Sequence, residues 1–439
     1  MPRFIVVSKD FSGFGFAKAI VDAGYPCLLA YKIDSEVQEK DEIAKFKELG
    51  TGYVQKAPLD AVFRDREKYR DAYWFFDQNN YNEMGEALRL EKFRVWSGSE
   101  IAGRMEHDRQ FGMDIAEKAG IKSPPEFEFH DLSEGMDFLA ENEDHAYVFK
   151  PNAPDGTWET YVPDSEKDEA ANRELSTYLA SLPDGNSGGY ILQERIHGVE
   201  ANFEIWVRDG KPFFAFCDLE CKKKLNDDYG PLVGGAQDIG FTIPIDCKAV
   251  RETVGRLLDL EEFKEYTGFL DMNVIVSEND NYFLEFCART GYPAHPTLFT
   301  ALAKDPFPVI LMNMIEGGEG DFYKHFMYGF CGGITLYTDK RREHMPIYIS
   351  EEVEDLFYPY DLVSKDGLVL LSGCGDDLEI GVITGHGYTV KLAAEEAIKN
   401  MGKVNFPNRS GRTDLDRNSY PSAPQARYDA LVAMHYFTP

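Results

Sequence analysis

The sequence predicts an α/β protein that begins with a parallel sheet and ends in an α+β lobe. Residues 4–32 read as a buried strand, a loop, an amphipathic helix closed by Gly24 and a second strand, which is the order of a β-loop-α-β unit. Strand-like runs at 72–76 and 94–96 continue this sheet. Towards the end of the chain, the strands GITLYT and GLVLLSG precede an amphipathic helix at 388–401, which predicts the mixed lobe.

Length and charge limit the classes of function. The 439 residues give room for roughly two to four domains. A net charge of −30, from 46 basic and 76 acidic residues, argues against non-specific nucleic-acid binding, because such binding depends on neutralising phosphates. No stretch has the apolar length of a membrane-spanning helix, and MPRFIVVSKD runs directly into a strand without a signal-peptide core. We therefore expect a cytoplasmic protein with no membrane partner.

The seven cysteines are scattered along the chain, and none forms a CxxC pair. An odd number of dispersed cysteines favours free thiols in a reducing compartment over a disulfide framework or a zinc site. This pattern agrees with a cytoplasmic location.

A predicted hairpin at 268–289 (GFLDMNVIVSENDNYFLEFCAR) contains the candidate metal site. Two apolar runs flank the polar turn SEND, which is typical of antiparallel strands. If the turn leaves three or five residues, Asp271, Asn273, Glu285 and Cys287 share one face, with the two acids opposite or diagonal. Like charges so close destabilise the pair unless a cation neutralises them, and Mg²⁺ prefers carboxylate oxygens. The alternative is two solvated carboxylates, and a one-residue change of register would separate them.

Further candidates lie at strand ends, each with a simpler alternative. Lys150 ends the strand HAYVFK before a turn, where a lysine can hold a phosphate, although surface lysines are common. The linker QERI (193–196) is placed to contact a base, with Glu200 accepting from ribose hydroxyls, or else it is an ordinary hairpin. Lys222 begins a lysine triplet before YGPLVGG, which reads as a flexible loop over a ligand; the alternative is a solvated face.

The pair Gly13 and Gly15 is only a partial dinucleotide-binding fingerprint. Lys18 stands where the third glycine belongs, so the sequence favours a plain tight turn here.

Taken in order, these features resemble the ATP-grasp superfamily, and most closely its phosphoribosylamine–glycine ligase family. The order is a lysine after a strand, a hinge followed by GxE, a lysine cluster before GPxxGG, then an aspartate and LEFxxR. The resemblance extends to about residue 415. It implies an ATP-grasp fold with an N-terminal parallel α/β domain at 1–100 and an ATP-grasp domain at 101–330. The resemblance further implies a mobile subdomain at about 125–190 and a C-terminal α+β lobe and tail at 331–439.

The resemblance also implies roles for individual residues. Asp271 and Glu285 would hold the metal. Arg289, which would neutralise charge on the transferring phosphoryl group, and Lys222 are the catalytic candidates. The ATP-binding candidates are Arg109, Lys150, Gly156, Thr157, Gln193, Glu194, Ile196 and Glu200, with Gly156 and Thr157 in a mobile cover over the triphosphate. The implied cofactors are ATP and Mg²⁺, with Mn²⁺ as an alternative. The implied partners are small amino acid and amine substrates, and the protein would be a monomer or homodimer.

Several positions depart from the family pattern. Arg109 replaces a lysine and keeps the charge with a bidentate geometry. Cys287 replaces the asparagine after the metal glutamate, and a thiol is a poor ligand for a hard cation. GDPE becomes GYPA, so that Tyr292 and Ala294 replace two acids, and GPNTGG becomes GPLVGG. These changes indicate a different or altered acceptor pair, because a site built for polar groups needs them.

The sequence therefore predicts an ATP- and Mg²⁺-dependent carboxylate–amine ligase, similar to enzymes of purine biosynthesis. It would phosphorylate an amino acid carboxylate, with glycine favoured, and the acyl phosphate would be attacked by phosphoribosylamine or another aminated nucleotide or base. A second hypothesis is an inactive nucleotide-binding protein of the same fold, motivated by Arg109 and Cys287. The retained Asp271, Glu285 and Arg289 argue against it. A purely structural protein is the third hypothesis.

Overall fold

The computed structural model describes residues 1–9, 12–32, 44, 47–152, 158–165, 167–183, 189–278, 280–317, 320–339, 343–373 and 378–438. The chain forms two compact units. The first comprises 1–120, 199–274 and 285–439, and the second comprises 121–198 and 275–284.

The described residues form twelve α-helices and twenty-one strands. The helices are α1 Phe14–Asp22, α2 Leu59–Arg64, α3 Asn82–Leu90, α4 Glu100–His107, α5 Arg109–Lys118, α6 Leu132–Glu141, α7 Asp168–Ser181, α8 Lys248–Glu252, α9 Ala294–Ala301, α10 Phe307–Glu316, α11 Val390–Met401 and α12 Pro424–Ala433. None of these helices is long and apolar enough to cross a bilayer.

The strands are β1 Phe4–Lys9, β2 Cys27–Lys32, β3 Gln55–Pro58, β4 Tyr73–Phe76, β5 Arg94–Trp96, β6 Glu126–Phe129, β7 Tyr147–Pro151, β8 Tyr190–Glu194, β9 Val199–Arg208, β10 Lys211–Leu225, β11 Tyr229–Thr242, β12 Gly268–Val276, β13 Asn281–Phe286, β14 Phe330–Tyr337, β15 Met345–Pro346, β16 Tyr348–Ile349, β17 Phe357–Pro359, β18 Val363–Lys365, β19 Leu368–Leu371, β20 Glu379–Gly387 and β21 Val404–Asn405.

The predicted parallel sheet at the N-terminus is confirmed. Its strand order is β3-β2-β1-β4-β5, and each neighbouring pair is parallel. The runs at 72–76 and 94–96 supply β4 and the edge strand β5, as the sequence predicts. Strand β1 lies between β2 and β4, so the order of strands along the sheet reverses direction at β1. Ligands of open α/β sheets bind outside the carboxyl ends of strands at such a reversal.

A second, eight-stranded sheet dominates the first unit. Its order is β13-β12-β9-β10-β11-β14-β20-β17, and the pairs from β9 through β17 are antiparallel. The tip of the β12–β13 hairpin (275–284) is grouped with the second unit. Helix α11 packs on β14 and β20, which gives the mixed arrangement predicted for the C-terminal part.

The predicted flexible loop at YGPLVGG is wrong. Residues 229–235 form the first half of β11, where Leu232 lies opposite Lys223 and Tyr229 opposite Leu225. The glycines suggested a loop, but pairing with the long strand β10 holds this segment extended. The lysine triplet therefore lies on a hairpin arm.

Packing explains the GxG pair at the start of α1. A Cβ on Gly15 would lie 2.2 Å from Tyr358 Cζ, and one on Gly13 would lie 2.8 Å from Val6 Cγ1. Both glycines are therefore required for close contact inside the first unit. This supports the sequence-based preference for a structural role over a dinucleotide fingerprint.

The second unit is a three-stranded sheet with helices on one face. The strand order is β6-β8-β7, both pairs antiparallel. Helices α6 and α7 pack on the face that carries the core of this unit, which consists of Leu139, Tyr147, Phe149, Trp158, Leu175, Leu179, Tyr190 and Leu192. Side chains of alternate residues point to the opposite face of this sheet.

Candidate active site

The β12–β13 hairpin places the candidate metal residues on one face. The Ser277 N–H donates to the Asp280 carbonyl (2.9 Å), and further along the Cys287 N–H donates to the Asp271 carbonyl (3.2 Å). The Cys287–Asp271 hydrogen bond is offset by one residue from the strand pairing that the Ser277–Asp280 hydrogen bond defines. Asp271 is thereby opposite Cys287, and Glu285 is its diagonal neighbour on the same face. The turn between Ser277 and Asp280 contains an even number of residues. Counting turn residues in the sequence therefore could not predict that Asp271 and Glu285 share a face.

Lys222 connects two of the candidate carboxylates in the first unit. Its Nζ lies 3.0 Å from Glu285 Oε1 and 3.3 Å from Glu200 Oε1. Asn273 Nδ2 also donates to Glu200 Oε1 (2.9 Å). Burial opposes a charged lysine, but Glu285, Glu200 and Glu220 together raise the pKa of Lys222 well above its usual value. This lysine is therefore a fixed positive charge inside an acidic cluster, rather than part of a solvated run.

The same lysine helps to keep Glu200 ionised. Burial alone would raise the pKa of Glu200, but Lys222, the Asn273 hydrogen bond and Arg427 hold it below its usual value. An ionised carboxylate acts only as an acceptor, so both of its oxygens can receive hydrogen bonds from hydroxyl groups.

Excess negative charge surrounds Asp271. Burial, followed by the carboxylates of Glu204, Asp218, Glu220 and Glu285, raises the pKa of Asp271 well above its usual value. Burial and neighbouring acids likewise raise the pKa of Glu220 to about 8, although Lys222 opposes the shift. Carboxylates that crowd together in this way are stabilised by a cation.

The donor set fits Mg²⁺. The buried oxygens Asp271 Oδ1 and Asn273 Oδ1 have no hydrogen-bond partner in the structure. Hard oxygen ligands of this kind suit Mg²⁺, which is commonly held by one or two carboxylates together with substrate phosphates. Within the described part of the chain, no group of three or more His, Cys, Asp or Glu residues is arranged as a complete metal cage.

The two predicted arginines occupy different environments in the first unit. Arg289 Nε donates to Glu106 Oε1 (3.0 Å), and its Nη1 donates to the Thr290 carbonyl (2.9 Å). Arg109 is the exposed first residue of α5, directly after the capping residue Asp108. Glu106 thus orients Arg289, while the helix start fixes the backbone of Arg109.

The second unit brings the predicted phosphate lysine and the hinge glutamine to one face of its sheet. Val148 pairs with Gln193, and Lys150 pairs with Ile191, so these four side chains share the face opposite the aromatic core. Gln193 Nε2 donates to Glu126 Oε1 on the next strand. This arrangement can present a charge and polar groups to a nucleotide lying on the sheet. The predicted cover residues Gly156 and Thr157 lie outside the described residues.

Glu194 and Ile196 line a polar cavity of about 190 Å³ within the second unit. His145 and Tyr282 are also part of its wall, and His145 Nδ1 lies 3.4 Å from Glu194 Oε1. The cavity is smaller than the roughly 300–1,000 Å³ typical of sites for whole ligands.

One polar cluster was not predicted from the sequence. At the carboxyl ends of β1 and β4, Asp77 Oδ2 accepts hydrogen bonds from Ser8 (3.0 Å), Ser12 (2.5 Å) and the Tyr292 hydroxyl (3.2 Å). Burial raises the pKa of Asp77 to about 6, although these hydroxyls oppose the shift. Tyr292, the residue that replaces an acid of the family pattern, thus reaches the strand-order reversal of the parallel sheet.

Glu220 was also missed. Glu220 precedes Lys222 by two residues on β10. Because alternate residues of a strand lie on the same face, this spacing could have indicated that Glu220 belongs to the same cluster.

Comparison with known proteins supports the ATP-grasp resemblance. Residues 107–295 match the family model described as "Phosphoribosylglycinamide synthetase, ATP-grasp (A) domain". Phosphoribosylamine–glycine ligase of Lactococcus lactis is 22% identical over 244 residues, which cover 54% of this chain and 57% of that protein. The Thermotoga maritima ligase of the same name is 25% identical over 321 residues, covering 71% of this chain and 77% of its own length.

Two solved structures share the fold. The crystal structure of phosphoribosylamine–glycine ligase from Thermotoga maritima has a TM-score of 0.66 at 19% identity and covers 94% of this chain and 99% of its own. The biotin carboxylase domain of 2-oxoglutarate carboxylase from Hydrogenobacter thermophilus, solved with MgADP and bicarbonate, has a TM-score of 0.59 at 10% identity and covers 100% and 99%. The named relatives support the predicted class, a ligase that forms C–N bonds. The chain is therefore similar to phosphoribosylamine–glycine ligases, and its residues 107–295 match the ATP-grasp domain model of that family.

Proposed function

We propose that this protein is an ATP- and magnesium-dependent ligase that joins the carboxylate of a small amino acid, with glycine favoured, to an amine. A carboxylate oxygen attacks the γ-phosphorus of ATP, and ADP leaves. The amine nitrogen then attacks the acyl carbon, the amine loses a proton, and inorganic phosphate departs with the former carboxylate oxygen. The observation that carries the proposal is the Lys222–Glu285–Glu200 cluster, which lies within the family-matched segment.

Within this cluster, we assign some residues to ATP binding and others to charge stabilisation. Glu200, kept ionised, accepts from the ribose hydroxyls of ATP. Lys222 and Arg289 offset negative charge that develops during phosphoryl transfer, which is the main contribution a protein makes to this chemistry. Within the second unit taken by itself, Lys150 and Gln193 are proposed to offer a positive charge to phosphates and polar groups to a base, respectively. Arg109 adds a further charge for the phosphates.

Asp271 and Glu285 would hold Mg²⁺, with Mn²⁺ as an alternative. The unpartnered Asp271 oxygen and the crowded carboxylates around it support this assignment. When bound, such an ion neutralises the phosphates of ATP and stabilises the transferring phosphoryl group.

The proposed amine is phosphoribosylamine or another aminated nucleotide or base. Tyr292 and Asp77 lie where ligands of parallel α/β sheets bind, and their mutual hydrogen bond changes the polar groups offered there. This supports an altered acceptor.

The middle of the proposed three-domain division (1–100, 101–330 and 331–439) contains the family-matched residues 107–295. A cytoplasmic location is also proposed, since the six described cysteines are all free thiols.

A nucleotide-binding protein without ligase activity is the second candidate. The position opposite Asp271 carries Cys287, and burial raises the pKa of its thiol well above the usual value. A neutral thiol is a weak ligand for a hard cation, which favours this alternative.

One assay distinguishes the two candidates. ADP release is measured with ATP and Mg²⁺ across a panel of amino acids, with hydroxylamine present to trap an acyl phosphate. Formation of a hydroxamate with one amino acid is the expected result and identifies the carboxylate substrate. Tight ATP binding without turnover, also after addition of phosphoribosylamine and aminated nucleotides, would contradict the ligase and favour the binding protein.

A further inference from the structure

The C-terminal helix α12 sends one buried arginine to the backbone beside the proposed nucleotide site. Arg427 Nη1 donates to the Glu200 carbonyl (3.2 Å), and its Nη2 donates to the Glu220 carbonyl (2.9 Å). Nη2 also lies 3.6 Å from Cys221 Sγ. The side chain of Arg427 is only 7% exposed, so these contacts are shielded from water. One guanidinium therefore joins two neighbouring strands.

The chain before α12 is anchored to the β10–β11 hairpin, and this fixes the position of Arg427. Ser422 donates to Asp228 from both its N–H and its hydroxyl, each at 2.8 Å. The Tyr420 hydroxyl accepts from Gln237 Nε2 (2.9 Å). Tyr420 and Ala423 also form a buried cluster with Cys221. The helix thus starts from a rigid point on the hairpin that carries Lys222.

Arg427 acts where the pairing of β9 with β10 stops. The ladder runs from Arg208 opposite Lys211 to Asn202 opposite Asp218. By this register, Glu200 and Glu220 would be the next pair on the same face. Instead, the carbonyls of Glu200 and Glu220 both accept hydrogen bonds from Arg427. The planar guanidinium of arginine can donate to two acceptors at once.

We propose that Arg427 is a positioning residue for ATP binding. By fixing the backbone of Glu200 and Glu220, it holds the Glu200 carboxylate within reach of Lys222 and Asn273. This inference rests on the proposed function, in which Glu200 binds ATP. It assigns the C-terminal helix, which lies beyond the resemblance ending near residue 415, a role in the nucleotide site.

The test compares Arg427→Met, Arg427→Lys and the control Arg417→Met in the full chain. Arg417 is in the same tail, is half exposed and lies 3.9 Å from Asp227. ATP affinity is measured by calorimetry, KM and kcat by ADP release, and folding by the thermal midpoint. We expect Arg427→Met to raise both Kd and KM for ATP roughly tenfold or more, since hydrogen bonds from charged donors are the stronger ones. The KM for the amino acid should change little. Arg427→Lys should give an intermediate value, because an ammonium lacks the fork.

Three results would overturn the inference. The first is ATP affinity in both Arg427 variants equal to that of the control. The second is an equal loss of affinity for all substrates with a lowered midpoint, which indicates a merely structural role. If Arg427→Met does not fold, the lysine variant decides, and normal ATP affinity there contradicts the proposal. A wild-type chain that binds no ATP would instead refute the proposed function, and the inference would fall with it.

Discussion

Lys222 Nζ lies 3.0 Å from Oε1 of Glu285, so a candidate metal-binding carboxylate already has a counter-charge from the protein. The same ammonium lies 3.3 Å from Glu200. A divalent cation at Glu285 must share or displace this ammonium. The role of the lysine can therefore be separated experimentally from the role of the metal.

Glu285→Gln tests the metal assignment. We expect turnover to fall on the order of a hundredfold or more, because one charge that stabilises the reacting phosphates is lost. The fold should persist, since the Glu285 side chain is 61% exposed. Steady-state ADP release and thermal unfolding provide the measurements. Glu278→Gln, at the exposed tip of the same hairpin, is the matched control. Unchanged turnover in Glu285→Gln would remove the metal assignment.

Lys222→Met should separate charge stabilisation from metal binding. We expect kcat to fall on the order of a hundredfold, because a fixed positive charge beside the phosphates is lost. The Mg²⁺ concentration for half-maximal activity should not rise, because the competing ammonium at Glu285 is gone. Titration of residual activity with Mg²⁺ at saturating ATP measures both quantities. A higher Mg²⁺ requirement would show that Lys222 supports the metal site instead. Lys211→Met, at the exposed start of the same strand, is the control.

Asp77→Asn should change the pH dependence of folding. The pKa of Asp77 is raised from 3.8 to about 6 by burial, so the folded state holds a proton that the unfolded state has lost. Its stabilising contribution is present below the unfolded pKa and is lost as pH rises through about 6. A shift of about two pKa units corresponds to ~3 kcal/mol.

Urea unfolding at pH 5 and pH 8, on either side of the folded pKa of about 6, measures the part of this contribution that is lost above pH 5, about one pKa unit or ~1.4 kcal/mol. The wild type should lose more free energy of unfolding between the two pH values than Asp77→Asn does. Asp60→Asn, an exposed acid of the same sheet domain, should behave like the wild type. Identical pH dependence in Asp77→Asn and wild type would rule out the buried carboxyl as the cause.

Arg412→Met should destabilise the protein by roughly 3–5 kcal/mol, because removal of one partner leaves buried charge uncompensated. Arg412 is fully buried and makes ion pairs of 2.8 Å with both Asp228 and Asp414. Denaturant unfolding gives the free energy, and Arg417→Met is the exposed control. A loss no larger than that of the control would show that these ion pairs contribute little.

Local pattern was enough to predict the strands and much of the candidate site. Alternation within the 268–289 run predicted the two strands and singled out Asp271 and Glu285 as candidates, and strand ends marked Lys150, but the one-residue offset that puts the two acids on one face was not visible in the sequence. These features depend on a residue's immediate neighbours, whose period of two is visible in the sequence.

Contacts between segments far apart in the sequence could not be predicted in the same way. The Tyr292 hydroxyl meets Asp77 across 215 positions, and Arg427 reaches Glu200 across 227. Such pairs depend on strand order and register, which one sequence without partners does not specify. The segment YGPLVGG was wrongly predicted as a loop because of its glycines. In the structure it is a strand, because it pairs with β10.

Transfer of oxygen from the carboxylate to phosphate shows whether ATP phosphorylates the carboxylate. The amino acid found in the hydroxamate assay is labelled with ¹⁸O in its carboxylate, and the complete reaction is run with ATP, Mg²⁺ and the amine. Mass spectrometry of the inorganic phosphate then locates the label. The ligase account predicts that each phosphate released in amide formation carries one labelled oxygen. Unlabelled phosphate would show that ATP is cleaved without formation of an acyl phosphate, and would contradict the account.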